Sequence, residues 1–259
     1  MSYALITGAS KGIGKNIAEC LAKKNYSLLL VARSEQLLKE TAESLKNKYP
    51  IDVQILSLDL ATPQAATQVF EWIKGKNIPV SILVNNAGYG LWGNFQDLSW
   101  ESQQEMLQLN VGTLLHLTHL MIPILKKEPE AFILNTGSIA GFQAVPTLSL
   151  YAASKALVNV FSRGLAYELR DTSISVTLLA PGGVKTEFVE RSGMMHMKET
   201  ADKMSMTPEQ VAKIGVQAMF NRKKEVIPGW GNQVSTLLVR ILPKTLIENL
   251  AGSIYKKKE

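Results

Sequence analysis

The sequence predicts an α/β protein, a single doubly wound domain whose predominantly parallel, seven-stranded sheet is flanked by helices. Three observations carry this prediction. Strand-like and helix-like patterns alternate from residue 3 onward, the strand segments read as continuous apolar runs, and no linker, repeat or low-complexity stretch divides residues 1–259. Repeated β-α units build parallel sheets covered on both faces, and strands buried on both faces lose their polar alternation.

Tyr3 to Thr7 reads as the first strand, followed by a glycine-rich turn over Gly8 to Gly14. Ile13 to Lys24 reads as a helix because Ile13, Ile17, Ala18 and Leu21 share one face. Ser27 to Ala32 is an unbroken apolar run and the second strand. Ser34 is placed to cap a helix that ends near Lys48. Val53 to Leu58 is the third strand, and Thr62 is the expected cap of a helix over Pro63 to Lys74. Ser81 to Val84 is the fourth strand. A long helix is predicted over Trp100 to Ile122, with Pro123 as its stop. Ala131 to Thr136 is the fifth strand, Tyr151 to Arg170 a helix, and Ser175 to Leu179 the sixth strand. Val226 and Ile227 start a seventh, which ends at Pro228.

Composition narrows the function classes. A hydrophobic content of 46% fills a sizeable core, and 19% charged residues is too few for a disordered chain. The formal charge of +6 permits anionic partners. No basic stripe interleaved with aromatics is present, so nucleic acid is not an expected partner. Cys20 is the single cysteine, which excludes an internal disulfide framework; it falls on the apolar side of its helix and reads as packing. Met1 and Ser2 run straight into the first strand without a secretory signal, and no apolar run reaches the ~20 residues of a spanning helix. A soluble, cytoplasmic protein is expected. His116 and His119 stand three apart, but two imidazoles without further ligands do not make a metal site, and none is expected. His196 has no assigned role.

Thr7-Gly8-Ala9-Ser10-Lys11-Gly12-Ile13-Gly14 joins the first strand to the first helix. The spacing is G-x-x-x-G-x-G rather than G-x-G-x-x-G, with the same physical logic. Glycines allow a tight turn and close backbone approach, and the helix N-terminus offers free N–H groups and partial positive charge to a pyrophosphate. The sheet is therefore expected to be of the Rossmann type. The end of the second strand normally reads the adenosine ribose, with an acid for the 2′-hydroxyl of NAD. This chain has Ala32-Arg33 there instead, with Lys11 in the nearby loop. Two cations converging on one point suit a 2′-phosphate, so NADP(H) is predicted over NAD(H). Asp59-Leu60 follows the third strand; the carboxylate either accepts from the adenine amino group or caps the next helix.

Four further motifs stand in order: Asn85-Asn86-Ala87-Gly88 after the fourth strand, Ser138 after the fifth, Tyr151-x-x-x-Lys155, and Pro181-Gly182-x-x-x-Thr186. With the glycine-rich loop, the sequence resembles the NADP-preferring, ~250-residue branch of the short-chain dehydrogenase/reductase family. The resemblance is close from Tyr3 to about Thr186 and looser beyond. It implies a catalytic tetrad of Asn110, Ser138, Tyr151 and Lys155. It also implies cofactor contacts from the stretch Gly8, Ser10, Lys11, Gly12, Ile13 and Gly14, and from Arg33, Asp59 and Leu60. Asn86, Ala87 and Gly88 would pass beside the adenosine ribose, while Asn85 braces the sheet. Tyr151, Lys155, Pro181, Gly182, Val184 and Thr186 would lie at the nicotinamide end. Dimers or tetramers built on the helices near Trp100–Ile122 and Tyr151–Arg170 are implied as well.

The chemistry explains the residue types. Reducing a carbonyl needs a hydride at carbon and a proton at oxygen, and a positioned acid must supply the proton. Tyrosine has a reference pKa of about 10, and moving it by about 3 pH units takes ~4 kcal/mol. A cation ~4 Å away at an effective dielectric of about 20 supplies roughly that. Residues four apart share a helix face, so Tyr151 and Lys155 point together. Lys155 can also hold the nicotinamide ribose hydroxyls. Ser138 can donate to the substrate oxygen. From the resemblance, Asn110 interrupts its helix and helps hold a water that links Lys155 to solvent.

Three segments would form the substrate side: Gly88 to Phe95, Ile139 to Leu150, and a lid over residues 187–206. Five of the nine methionines fall between Met194 and Met206, which suits closure over apolar ligands. The reading is an oxidoreductase acting on a carbonyl or secondary alcohol of a bulky apolar molecule, such as a fatty acyl, steroid-like or aromatic ketone. The alternatives are a catalytically silent NADP(H)-sensing protein and a membrane-associated lipid-ketone reductase. In the C-terminal extension, residues 230–259, Val234, Leu237, Leu238, Ile241 and Leu242 form an apolar face that Leu246, Ile247, Leu250 and Ile254 continue before Lys256-Lys257-Lys258. That face either packs on this or a partner subunit or makes a peripheral membrane contact.

Overall fold

The computed structural model describes residues 2–194 and 205–255. β1 (Tyr3–Thr7), α1 (Gly12–Ala22), β2 (Ser27–Ala32), α2 (Glu35–Lys48), β3 (Val53–Ser57) and α3 (Ala65–Lys74) build one half of the sheet. The chain then returns to the other side of β1. There it forms β4 (Val80–Asn85), α4 (Trp100–Leu107), a π-helical turn (Gln108–Gly112), α5 (Thr113–Leu125), β5 (Ala131–Thr136), α6 (Ser149–Glu168) and β6 (Ile174–Leu179). A short α7 (Phe188–Arg191), α8 (Pro208–Phe220), a two-residue β7 (Glu225–Val226), α9 (Trp230–Ile241) and α10 (Lys244–Tyr255) follow.

The sheet order is β3-β2-β1-β4-β5-β6-β7, and every pairing is parallel. This is the predicted seven-stranded, Rossmann-type sheet. All residues of β2, β4 and β5 are buried, which is why they read as apolar runs. One core cluster joins the sheet to α1, α2 and α8 through Ile17, Leu21, Leu38 and Val211, with half-buried Cys20 packed against it. The other joins it to α3, α5 and α6 through Val69, Ile73, Leu117 and Leu165. Strand order reverses between β1 and β4, so a crevice opens beyond their carboxyl ends; the predicted motifs follow strand ends on that edge, except Tyr151-x-x-x-Lys155, which lies on α6.

Local details differ from the sequence expectations. Pro123 does not stop its helix; α5 runs on to Leu125, held by fully buried Met121 and Leu125 despite one missing N–H. Ser34 occupies the cap position of α2, but its side chain makes no capping bond. Thr62 does not cap α3 either. Asp59 Oδ1 accepts from the Ala61 N–H at 2.9 Å, the Thr62 hydroxyl donates to the Asp59 carbonyl at 3.1 Å, and the helix starts only at Ala65. The predicted long helix is split by the π-helical turn that carries Asn110. Residues 195–204 of the predicted lid, with His196, lie outside the described residues, as do Lys256–Lys258.

Candidate active site

The glycine-rich loop is shaped by what surrounds it. Gly8 and Gly12 have φ of +67° and +58°, a region L side chains rarely enter. Gly14 lies against the Gly8 carbonyl and the Asn86 amide so closely that a Cβ there would overlap both. The Asn86 amide donates to the carbonyls of Thr7 (3.2 Å) and Gly8 (3.3 Å), and the Thr7 hydroxyl accepts the N–H groups of Asn86 (2.9 Å) and Ala87 (3.2 Å). The ends of β1 and β4 are thereby fastened into one cradle. Asn86, expected beside the ribose, spends its side chain supporting the loop. Half-buried Ser10 and Ile13 sit on the loop and the first turn of α1. The Lys11 cap position supplies no side-chain bond to that turn.

The two predicted cations each stand beside a carboxylate. Lys11 pairs with Glu187 across the cleft mouth, and Arg33 stands 3.9 Å from an oxygen of Asp59. Each has turned to its nearest carboxylate, and all four side chains are exposed. Leu60 is buried in the core, and its carbonyl accepts the Thr113 hydroxyl at 2.7 Å. Asn85 braces β4 as expected, donating to Thr118 Oγ1 and Asn135 Oδ1 at 2.9 Å.

The four predicted catalytic residues are all buried at the carboxyl edge of the sheet. Tyr151 and Lys155 lie one turn apart on α6. The Lys155 ammonium donates to the Thr136 carbonyl at 2.9 Å, and burial pushes its pKa down to about 8. Asn110 clamps the backbone of Tyr89: its Nδ2 donates to the Tyr89 carbonyl (2.9 Å) and its Oδ1 accepts the Tyr89 N–H (3.1 Å). Gly88 separates Asn110 from Lys155; a Cβ on it would stand 2.9 Å from Asn110 Oδ1 and 3.4 Å from Lys155 Nζ. Ser138 Oγ accepts the Ala140 N–H at 3.1 Å and lies 3.5 Å from the Pro181 carbonyl.

Asn159, which sequence reasoning missed, sits one further turn along α6. Its amide donates to the Ser138 carbonyl at 3.0 Å, and its buried Oδ1 has no hydrogen-bond partner. The spacing of four that links Tyr151 to Lys155 also reaches Asn159, which is the signal that could have found it.

The substrate side is apolar. Met106, Val145, Leu148, Tyr151 and Met194 form a cluster, with Leu91, Trp92, Phe188 and Val189 packed on it. The Phe188 ring lies 5.4 Å from that of Tyr151. The three predicted wall segments are tied together. The Trp92 N–H donates to the Ser192 carbonyl (2.9 Å), and the Gly93 N–H to the carbonyl of Thr147 (2.8 Å). Thr147 holds φ of +65°, an outlier for a β-branched residue. Val184 bridges to Met206, and Thr186 Oγ1 accepts the Phe188 N–H at 3.2 Å, so the segment expected at the nicotinamide leads directly into α7. Gly182 is covered by Asn232 of α9. Among the described residues, no three His, Cys, Asp or Glu side chains group as metal ligands.

A nucleotide-binding loop beside a buried Tyr-Lys pair on a parallel sheet defines an α/β oxidoreductase. The chain belongs to the short-chain dehydrogenase/reductase family, matching the short chain dehydrogenase family over residues 2–195. It is 30% identical over 265 residues to a very-long-chain 3-oxoacyl-CoA reductase-A of Danio rerio, covering 98% of this chain and 78% of that one. It is 34% identical over 229 residues to an NADP-dependent 3-hydroxy acid dehydrogenase of Schizosaccharomyces pombe, covering 86% and 88%. A short-chain dehydrogenase from Sphingobium yanoikuyae, solved in complex with NADPH, superposes with a TM-score of 0.82 at 27% identity, covering 100% of this chain and 98% of that one.

Proposed function

We propose that this protein is an NADP(H)-dependent oxidoreductase that interconverts a carbonyl and a secondary alcohol on a bulky apolar molecule: a fatty acyl, steroid-like or aromatic ketone. The observation that carries this reading is the buried Tyr151–Lys155 pair, walled by apolar side chains and placed beside a glycine cradle. When bound, the nicotinamide supplies or accepts the hydride. The chain's own residues handle the oxygen. Ser138 orients the substrate oxygen through its hydroxyl, and the Tyr151 hydroxyl gives the proton in reduction and takes it back in oxidation. Lys155 raises the acidity of Tyr151, and its pKa near 8 lets it recover a proton at neutral pH. Asn110 holds the Tyr89 backbone against the Lys155 side of the cleft.

A pyrophosphate would be held by backbone N–H groups of the loop and the α1 N-terminus, where Gly8, Gly12 and Gly14 let the backbone pack so tightly that a Cβ would meet Ala87, Thr186 or the Gly8 carbonyl. The fold alone does not choose between NAD and NADP; side chains at the end of β2 do. Arg33 and Lys11, with no acid at that position, support NADP(H), as do the relatives whose names carry NADP or NADPH. The relative named for very-long-chain 3-oxoacyl-CoA supports a carbonyl on a long apolar body. We further read the protein as a cytoplasmic homo-oligomer. Exposed Trp100 on α4 and Leu157 on α6 line an open groove of about 840 Å³, and Val160 and Tyr167 are exposed further along α6, a face suited to a second copy.

One experiment tests the reading. A panel of long-chain 3-oxoacyl, steroid and aromatic ketones is assayed with NADPH and with NADH, using wild type, Tyr151→Phe and Arg33→Asp. Wild type should turn over with NADPH preferred. Tyr151→Phe should lose turnover at least about a thousandfold while still binding cofactor, and Arg33→Asp should move the preference toward NADH. Turnover retained by Tyr151→Phe refutes the catalytic assignment, and an unchanged preference in Arg33→Asp refutes the cofactor assignment.

A further inference from the structure

We propose that α9 and α10 form a docking surface for an anionic lipid bilayer. A surface helix normally buries its apolar face and turns its polar face to water; α9 reverses this. Its buried residue is Thr236, 4% exposed, whose hydroxyl satisfies itself on the carbonyls of Asn232 and Gln233. Its solvent side carries Trp230, Leu237, Leu238 and Ile241, exposed by 80, 55, 45 and 70%. These positions fall at i, i+7, i+8 and i+11, a single helical face. On α10, Ile247 and Ala251 are buried and seat the helix, while Leu246 and Leu250 are exposed by 46 and 51%. Isolated exposed leucines need no account; six large apolar side chains on two consecutive helices do.

Charge selects the occupant. Arg240 is ion-paired with Glu225 at 3.7 Å; the rest of residues 230–259 hold Lys244, Lys256, Lys257 and Lys258 against Glu248 and Glu259, a net charge of +2. The other exposed apolar face, on α4 and α6, borders a groove whose charged lining residues are Glu101 and Glu105. Acidic lining suits a protein surface and repels anionic headgroups, whereas an apolar face on a segment whose sequence is net positive suits them. Trp230 adds an aromatic that favours the headgroup level. No described helix is long and apolar enough to cross a membrane, so the contact is peripheral.

The surface also stands behind the substrate wall. A Cβ on Gly252 of α10 would lie 3.6 Å from Pro146 Cγ, the Arg240 guanidinium stands 5.6 Å from the Phe142 ring, and Asn232 of α9 covers Gly182. Val145 and Leu148, either side of Pro146 and Thr147, pack in the apolar cluster around Tyr151. A bilayer held by α9 and α10 would thus lie one helix thickness, ~10 Å, behind the wall of the pocket, and bilayers dissolve bulky apolar ketones.

The test is co-sedimentation of the full chain with vesicles of phosphatidylcholine, with and without about 30% phosphatidylglycerol, at ~0.1 M and ~0.5 M salt. Wild type should pellet with the anionic vesicles at low salt and about tenfold less at high salt or without phosphatidylglycerol. The double variant Leu237→Glu/Ile241→Glu and the single variant Lys244→Glu should each reduce pelleting, with turnover and thermal midpoint unchanged. Failure of wild type to pellet, equal pelleting with both compositions, or pelleting indifferent to these variants overturns the proposal. So does a double variant that instead lowers the sedimentation coefficient of the vesicle-free protein, because a second copy would then cover this face. The ketone assays are run without vesicles, so their failure and that of the docking proposal are separate results.

Discussion

Lys155 is a cation held where a cation is costly: it is 5% exposed, and its partner is the neutral Thr136 carbonyl. Burial brings its pKa from 10.5 to about 8 in the folded chain. Below pH 8 the group is protonated whether folded or unfolded, and folding bears the full desolvation cost. Between about 8 and 10.5 the unfolded chain keeps a proton that the folded chain has shed, so stability rises with pH. Above 10.5 the cost is gone. Its size is about 3 kcal/mol. Lys155→Met should therefore stabilise the fold at pH 7 by about 1 kcal/mol or more, net of the carbonyl it orphans, while abolishing turnover. Urea unfolding at pH 7 and near pH 10 checks this: the gain should shrink as pH rises, and a variant less stable than wild type at pH 7 would contradict it. At this scale the buried set of Ser138, Tyr151 and Lys155 was legible, because proton transfer restricts which residue types can serve such a site. The supporting side chains were not. Asn159 reaches the Ser138 carbonyl and Asn86 the loop carbonyls through amides that any asparagine carries, and only the fold shows what they reach.

The elements place these residues through close approaches between segments distant in sequence. Gly90 is one such approach: a Cβ there would lie 2.8 Å from Phe188 Cζ and 3.3 Å from Tyr151 Cδ2. The ring of Phe188 is a movable end rather than backbone, so Gly90→Ala should displace it from Tyr151 at little cost to the fold. We expect kcat/KM for an apolar ketone to fall about tenfold, with the thermal midpoint within a few degrees of wild type. Steady-state kinetics beside a melting curve decides it, and unchanged kcat/KM would mean that Phe188 does not form the substrate wall. Strands were easy to read because burial on both faces writes them as apolar runs. Helix ends were harder. Ser34 and Thr62 are residues that cap helices, yet neither bonds to the first turn, because a cap depends on local backbone direction as well as residue type. Pro123 shows the same limit, since buried neighbours carry α5 through it. The π-helical turn was anticipated only as an interruption, through the family pattern at Asn110.

For the molecule as a whole, the face formed by α4 and α6 should join two copies. Leu157→Glu places a charge beside exposed Val160 and the acidic groove, and sedimentation velocity should then show a smaller species than wild type. An unchanged sedimentation coefficient would remove this face as the interface. The parallel sheet was implied by the repeating β-α units, whereas the inverted amphipathicity of α9 was not, because an apolar stripe in sequence does not tell which side it turns to water. The central place of β1 has a consequence for synthesis. Tyr3 pairs with Ser27 on one side and Val80 on the other. At ~5–20 residues per second, the second neighbour is translated about 4–15 s after the first strand. Until then the nascent β3-β2-β1 ribbon presents an unpaired, mostly apolar edge. A ribosome-associated chaperone would meet that edge first, and slowing translation before residue 80 should lengthen the encounter.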